Sequence, residues 1–517
     1  MKRLPARPSV AHLKAQAKDL LRDYRAGDRA AFERLREALP VARGRDDAEL
    51  ADLALRLHDM QSCVGREYGF PSWSELRTCV EWQRVRAEDG ALSRWFDLVY
   101  GAGFDPPRPA AAERVYDELG AERRADPFVA CAAGDEAIVR QTLERDPGWV
   151  NRAGSLLEMT PLVAVTFSTL VRLPRFADGL RRCARILLDA GADRDATWAP
   201  AAFPGAAFGA LYGAAGHAHD PALTRMLLEA GADPNDGESL YHSLDGPDLE
   251  CTRLLLEAGA IVSGGNALFH VLDRENLPGL ELLLAHGGDP NEFSDSLGRP
   301  LHHAIRRGRS LAHIDALLAA GADPTAPASS GVSAELLAFR FGRTDIVARF
   351  GSDEPPAAHD RFLGACARAD RDAAAALLAT QPALLSELSE EQLRLLPVLA
   401  ESGRRDAVEL MVALGWPIDV RGGDWSASAL NLAVFRGDAQ LTEFLLEHGA
   451  RWTEEHGYED NVMGTLSFVS GAQTESDGDW LGCARALVAH GMPRPPARYS
   501  FAEDVEAYFA GLPANSG

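Results

Sequence analysis

The chain has 517 residues, 46% of them hydrophobic and 25% charged, with a formal net charge of −23. That length exceeds what one hydrophobic core organises, so several units or a repeat array are expected, and the acidic balance disfavours a nucleic-acid partner. No apolar run approaches membrane-spanning length, and the opening Met1-Lys2-Arg3-Leu4-Pro5 lacks the apolar stretch of a secretory signal.

In chain order, residues 1–90 form a small helical module. Ser9 is placed to cap a first helix whose apolar row is Val10, Leu13, Ala17, Leu20, Leu21 and Tyr24. A second helix follows Gly27-Asp28 and ends near Pro40, and a third runs from about Asp46 toward Gly65. Ser72-Trp73-Ser74-Glu75 is a capping box opening a fourth. The module carries 17 Lys and Arg against 15 Asp and Glu, a net of +2, which leaves −25 for the rest of the chain. Residues 91–125 read as a helical linker, broken by Asp105-Pro106-Pro107-Arg108-Pro109.

Beyond Asp126 one phrase recurs. Arg185 to Asp193 reads Arg-Ile-Leu-Leu-Asp-Ala-Gly-Ala-Asp, and Arg225 to Asn235 reads Arg-Met-Leu-Leu-Glu-Ala-Gly-Ala-Asp-Pro-Asn. The marking glycines Gly191, Gly231, Gly259, Gly287 and Gly321 are separated by 40, 28, 28 and 34 residues. Paired leucines place apolar side chains on one helical face, which a single unit cannot bury alone. The glycine takes a positive φ where the helix ends, and proline then forces the turn. Thr160-Pro161-Leu162 and Pro300-Leu301-His302-His303-Ala304 open units of their own.

These phrases at these offsets resemble the ankyrin-repeat family from about Asp126 to Pro495. Leu4 to Ser9, Gln16 to Leu21 and Glu67 to Trp73 resemble a small helical module at the front of many bacterial ankyrin-repeat proteins. The resemblance implies an all-α solenoid of helix-turn-helix units with hairpin-like fingers, preceded by that module. Within it, residues 126–351 form a first stack and 360–495 a second. The break at 352–359 is marked by Asp353-Glu354-Pro355-Pro356 and by loss of the Leu-Leu-Gly ending after Gly331. The second unit holds an insert, Thr166 to Leu180, and the third a long finger after Thr197-Trp198. Ser389-Glu-Glu-Gln392 is another capping box, and residues 496–517 supply a capping helix over Phe501 to Phe509.

Chemistry-bearing motifs are not evident. Phosphate-binding loops, nucleophile elbows and zinc-spaced histidines or cysteines do not occur. His242, His270, His302 and His303 sit at or beside one repeat position, where the resemblance implies packing and hydrogen bonding between neighbours. Tyr212, Tyr241, Phe269 and Asn431 stand where that histidine is usual. The seven cysteines are dispersed and never paired as Cys-x-x-Cys, which suits reduced thiols and a cytoplasmic location. Cys131 and Cys366 share Ala-Cys-Ala surroundings that suit packing.

The resemblance therefore implies a non-catalytic, protein-binding scaffold without cofactor or metal. Its partner would be a neutral or basic protein, not nucleic acid or membrane. The alternative is a sensor, or an enzyme's regulatory subunit, in which the N-terminal module carries the activity. Aligning Leu430 with the leucine of the unit-opening phrase places Asp424 and Trp425 at a finger tip and Phe435 and Arg436 at the exposed end of a first helix. Asp295, Ser296, Arg306 and Arg307 are their equivalents in the sixth unit. Aromatic and arginine side chains are the usual anchors of interfaces. The competing reading is that Trp425 and Phe435 cover the acidic insert Thr474 to Asp479.

Overall fold

The computed structural model describes residues 10–51, 53, 55–68, 73, 76, 90–103, 106–203, 205–351, 356–471, 478–496, 499 and 501–512. Ser9, most of the capping box at 72–75, Asp105, the run 352–355, Cys79 and residues 474–477 of the acidic insert lie outside them. The chain divides into two compact units, residues 1–261 and 262–517. In both, helices joined by short turns recur in pairs, and the strands among the described residues are two residues long, so the fold is an all-α repeat array.

The first unit opens with the module. Leu13, Ala17, Leu20 and Tyr24 of the helix Val10–Arg25 are buried as their spacing predicts, against Phe32, Leu35, Met60 and Val64. Asp28 caps the helix Arg29–Ala38 by accepting from the Ala30 and Ala31 amides. The third predicted helix is in fact two, Asp47–Ala51 and Leu57–Glu67. The Tyr24 hydroxyl explains the interruption: it donates to the Leu50 carbonyl at 2.8 Å and accepts from the Leu55 amide at 3.4 Å, occupying backbone groups that a continuous helix would pair. Arg34 grips Glu67 through two bonds of 2.6 and 2.8 Å, tying the second helix to Leu57–Glu67.

Over the helical linker expected at 91–125, the helices Gly90–Tyr100 and Pro109–Glu118 pack onto the array. Trp95 is fully buried and donates to the Ala112 carbonyl at 3.0 Å, while the Tyr100 hydroxyl donates to the Ala164 carbonyl at 2.8 Å. These contacts fall on the second helix pair, at Ala164 and at the turn Thr169–Arg172, which thus gains a hydrophobic cover.

Among the described residues four helix pairs follow in this unit, beginning with Pro127–Ala133 and Glu136–Arg145. The predicted insert at 166–180 does not separate the helices of the second pair by a loop. It forms a 3-10 turn, Thr169–Arg172, and the start of one long helix, Pro174–Asp189, with Pro174 at the position where its missing N–H costs nothing. The third finger is a hairpin, Thr197–Trp198 paired antiparallel with Phe208–Gly209.

Among the described residues the second unit holds seven pairs, from Ala267–Leu272 and Leu277–Ala285 to Val462–Gly471 and Trp480–Ala489, then the helix Glu503–Ala510 with Val505 and Phe509 buried. On the two sides of residues 352–355, the helices Ala334–Arg340 and Ala358–Ala367 pack directly, and Arg340 pairs with Asp360 at 2.6 Å. Helix packing therefore continues past the predicted break. The capping box forms as predicted, with Ser389 accepting from the Gln392 amide and the Gln392 side chain from the Ser389 amide.

The repeated phrase acts locally. At Gly191 the φ is +88°, the Gly191 amide donates to Leu188 and the Ala192 amide to Leu187, closing the helix with its last carbonyls satisfied. Between repeats the turns are stitched by asparagine. Asn151 donates to the Gly191 carbonyl at 3.0 Å and accepts from Asp193 at 2.7 Å, and Asn291 does the same to Gly321 and Asp323, at 2.8 Å each.

Candidate functional site

The finger carrying Asp424 and Trp425 is a hairpin, Arg421–Gly422 against Ala427–Ser428, in the second unit. Ser428 then caps the helix Ala429–Phe435 by accepting from the Asn431 amide at 3.3 Å. Asn431 occupies the position of His302 and does its work. His302 Nε2 donates to the Val332 carbonyl in the next finger at 2.9 Å, and Asn431 Nδ2 donates to Glu454 in its own next finger at 3.2 Å. His303 is buried and bonded to Asp273 at 2.9 Å. These are neighbour-to-neighbour ties, as the sequence implied.

The structure brings Trp425 and Phe435 together, with ring centroids 5.4 Å apart. Trp425 is half-buried against the core, and the His456 ring lies 5.1 Å from it on centroids. Phe435 is 40% exposed. Arg436 is exposed and reaches back to the Glu401 carbonyl at 3.0 Å. Gly478 and Asp479, the described end of the acidic insert, lie against Gly437, where the Asp479 amide donates to the Gly437 carbonyl at 2.9 Å.

The polar equivalents in the sixth unit are less free than their alignment suggested. Asp295 and Ser296 are exposed at a finger tip. Arg306 is half-buried and donates to the Leu297 carbonyl at 3.0 Å. Arg307 is enclosed by carboxylates: Asp273 at 2.9 Å, Glu401 at 3.7 Å, and Asp424 in direct contact. Asp424 and Arg307, read as two separate contact positions, are therefore one internal ion pair. Burial raises the Glu401 carboxyl and Arg307 opposes that rise, while Asp424 adds to it. Asp273 is lowered although its burial acts the other way, because His303 and Arg307 favour its charged form.

This clasp joins residues far apart in sequence, so its removal is informative. Arg307→Ala leaves three carboxylates facing one another and is expected to destabilise the chain by about 1–2 kcal/mol, more at low than at high salt. Asp424→Asn removes one charge of the cluster and is expected to cost less than about 1 kcal/mol. Denaturant unfolding at two salt concentrations checks this, and equal costs for the two variants would show that Arg307 is not the organising charge.

The sequence reading did not single out Tyr458 and Phe468, which are 78% and 68% exposed. A further feature lies in the N-terminal module, a cleft of about 480 Å³ lined by Tyr24, Arg25, Gly27, Ala51, Leu55 and Arg56. Among the described residues no three His, Cys, Asp or Glu side chains are grouped to hold a metal, and no helix is long and apolar enough to cross a membrane. The six described cysteines are buried, and burial pushes the Cys183 and Cys366 thiols up to about 12.

No protein-family model and no curated protein matches the sequence. Among solved structures, the chain is similar to the ankyrin repeat domain of human ASB11, at 21% identity and a TM-score of 0.22, over 44% of this chain and 99% of that one.

Proposed function

We propose that this chain is a non-catalytic, cytoplasmic scaffold that binds a neutral or basic protein through its fingers and the exposed ends of its first helices. One observation carries this reading. The same buried frame recurs from unit to unit, while the finger-tip and helix-end positions change chemistry, from Ser296 and Arg306 in one unit to Trp425 and Phe435 in another. A repeat array gains different contacts by varying such positions over a constant core. Residues 1–90 are then the helical module that precedes many bacterial arrays of this kind. The alternative, that this module carries the activity, draws support from its arginine-lined cleft alone.

Site-specific photocrosslinking in the full-length chain tests the proposal. With the crosslinking residue at Ser296 or Trp425, a discrete protein adduct is expected in cell extract. With it at Glu443, exposed on a second helix, none is expected. Adducts of equal yield from Glu443 would place the contact surface elsewhere and reject the reading.

A further inference from the structure

Adding 33 residues to Trp425 and Phe435 gives Tyr458 and Phe468. The two pairs hold equivalent positions in successive units, each with one ring at the finger tip and one on the first helix. Their helices, Ala429–Phe435 and Val462–Gly471, pack side by side and are joined by the Thr465 hydroxyl donating to the Asn431 side-chain oxygen at 2.8 Å. The fingers are joined too, where the Gly457 amide donates to the Trp425 carbonyl at 2.7 Å. A run of rings results: Phe435 to Trp425 at 5.4 Å, Trp425 to His456 at 5.1 Å, His456 to Tyr458 at 6.0 Å, with Phe468 on the neighbouring helix.

Packing does not require this arrangement. Phe435, Tyr458 and Phe468 are 40%, 78% and 68% exposed, whereas the equivalents of Trp425 and Phe435 in the sixth unit are Ser296 and Arg306. The surrounding charge selects the occupant. Over the two fingers, positions 419–428 and 451–460, the chain carries six carboxylates against two arginines, and one of those arginines is already bonded to the backbone, Arg421 to Ser426. Aromatic faces within an acidic rim favour cations, and guanidinium groups above all, because they stack on rings and pair with carboxylates at once. A second copy of this chain would bring the same acidic rim, and a polynucleotide would bring a polyanion.

We propose that the aromatic face of the last two repeats binds an arginine-rich polypeptide segment, laid across both fingers with its guanidinium groups over Tyr458, Phe468 and Phe435. This rests on the scaffold reading above and names the partner's chemistry. The probe is a synthetic, fluorescently labelled peptide of alternating arginine and alanine, titrated against the full-length chain. Tyr458→Ala and Phe468→Ala are each expected to weaken binding by about five- to ten-fold with the melting temperature nearly unchanged. Glu447→Ala, on a second helix, is expected to change it less than about two-fold. A lysine-alanine peptide is expected to bind more weakly than the arginine one.

Equal affinity for the wild type and both aromatic variants would show that the peptide binds the acidic surface at large, and would overturn the proposal. Concentration-dependent dimerisation that Phe468→Ala abolishes would overturn it as well, by making the face a contact between copies. Finger-tip crosslinks that persist while the peptide is indifferent to both variants would reject this inference and leave the scaffold reading standing.

Discussion

Gly179→Ala is expected to destabilise the first unit by about 3 kcal/mol or more, the upper range for forcing atoms into a packed interior. Gly179 lies in the long helix Pro174–Asp189 and faces Gly134, which ends the first helix of the preceding repeat. A Cβ on Gly179 would stand 2.4 Å from the Gly134 carbonyl oxygen, and one on Gly134 would stand 2.4 Å from the Leu180 nitrogen. Both obstacles are backbone, so no side chain can turn aside and the two repeats must separate. Gly191→Ala supplies the contrast. Its φ is +88°, but nothing lies within 4 Å of the added carbon, so only the backbone penalty of about 1–2 kcal/mol applies. Denaturant unfolding of the two variants should therefore rank them in that order. Equal losses would mean that the close approach relaxes and that turn conformation dominates at both places.

The legible part of this fold was the part encoded locally. Leucine pairs, the closing glycine and the Asp-Pro-Asn turn each act within a few residues, so Gly191 to Gly321 predicted helix ends that the chain forms, and Ser389 and Gln392 cap one another as their spacing implied. What escaped was set by distant partners. The Tyr24 hydroxyl splits a predicted helix from 26 residues away, and Arg307 meets Asp424 across 117. No periodicity announces such a pairing, because it depends on how successive repeats rotate against one another. Tyr458 and Phe468 are a different case. The 33-residue offset from Trp425 and Phe435 was present in the sequence. The eleventh unit opens with Val462-Met463-Gly464-Thr465 in place of the Pro-Leu-His phrase, so the alignment that located its neighbour had no anchor there.

Acid is expected to weaken the first unit through His217, with an onset well above the range in which carboxylates protonate. The first helix of the third repeat begins as Ala210–Tyr212 and widens into a π-turn, Gly213–His217, which presses His217 against Phe167 at 5.5 Å between ring centroids. Its Nε2 is buried and meets no hydrogen-bond partner among the described residues. Burial, with smaller contributions from the charges of Arg172, His219 and His242, lowers its pKa from 6.5 to about 3. The folded chain therefore keeps this imidazole neutral, while the unfolded chain binds a proton near pH 6.5. Between those values the unfolded state holds more protons, so stability rises with pH and falls as pH drops from about 6.5 toward 3. At pH 4 the loss from this one group is on the order of 3 kcal/mol. His217→Phe keeps an aromatic ring of similar size against Phe167 and removes the titration. Urea unfolding at pH 7 and pH 4 should show the wild type losing more stability than the variant, with the difference between the two losses close to that figure. His219 lies nearby and is also lowered, chiefly by burial, so a smaller acid dependence should survive in the variant. Identical losses in both proteins would mean that His217 reaches solvent or a partner in the folded chain and that the acid limb belongs to other groups.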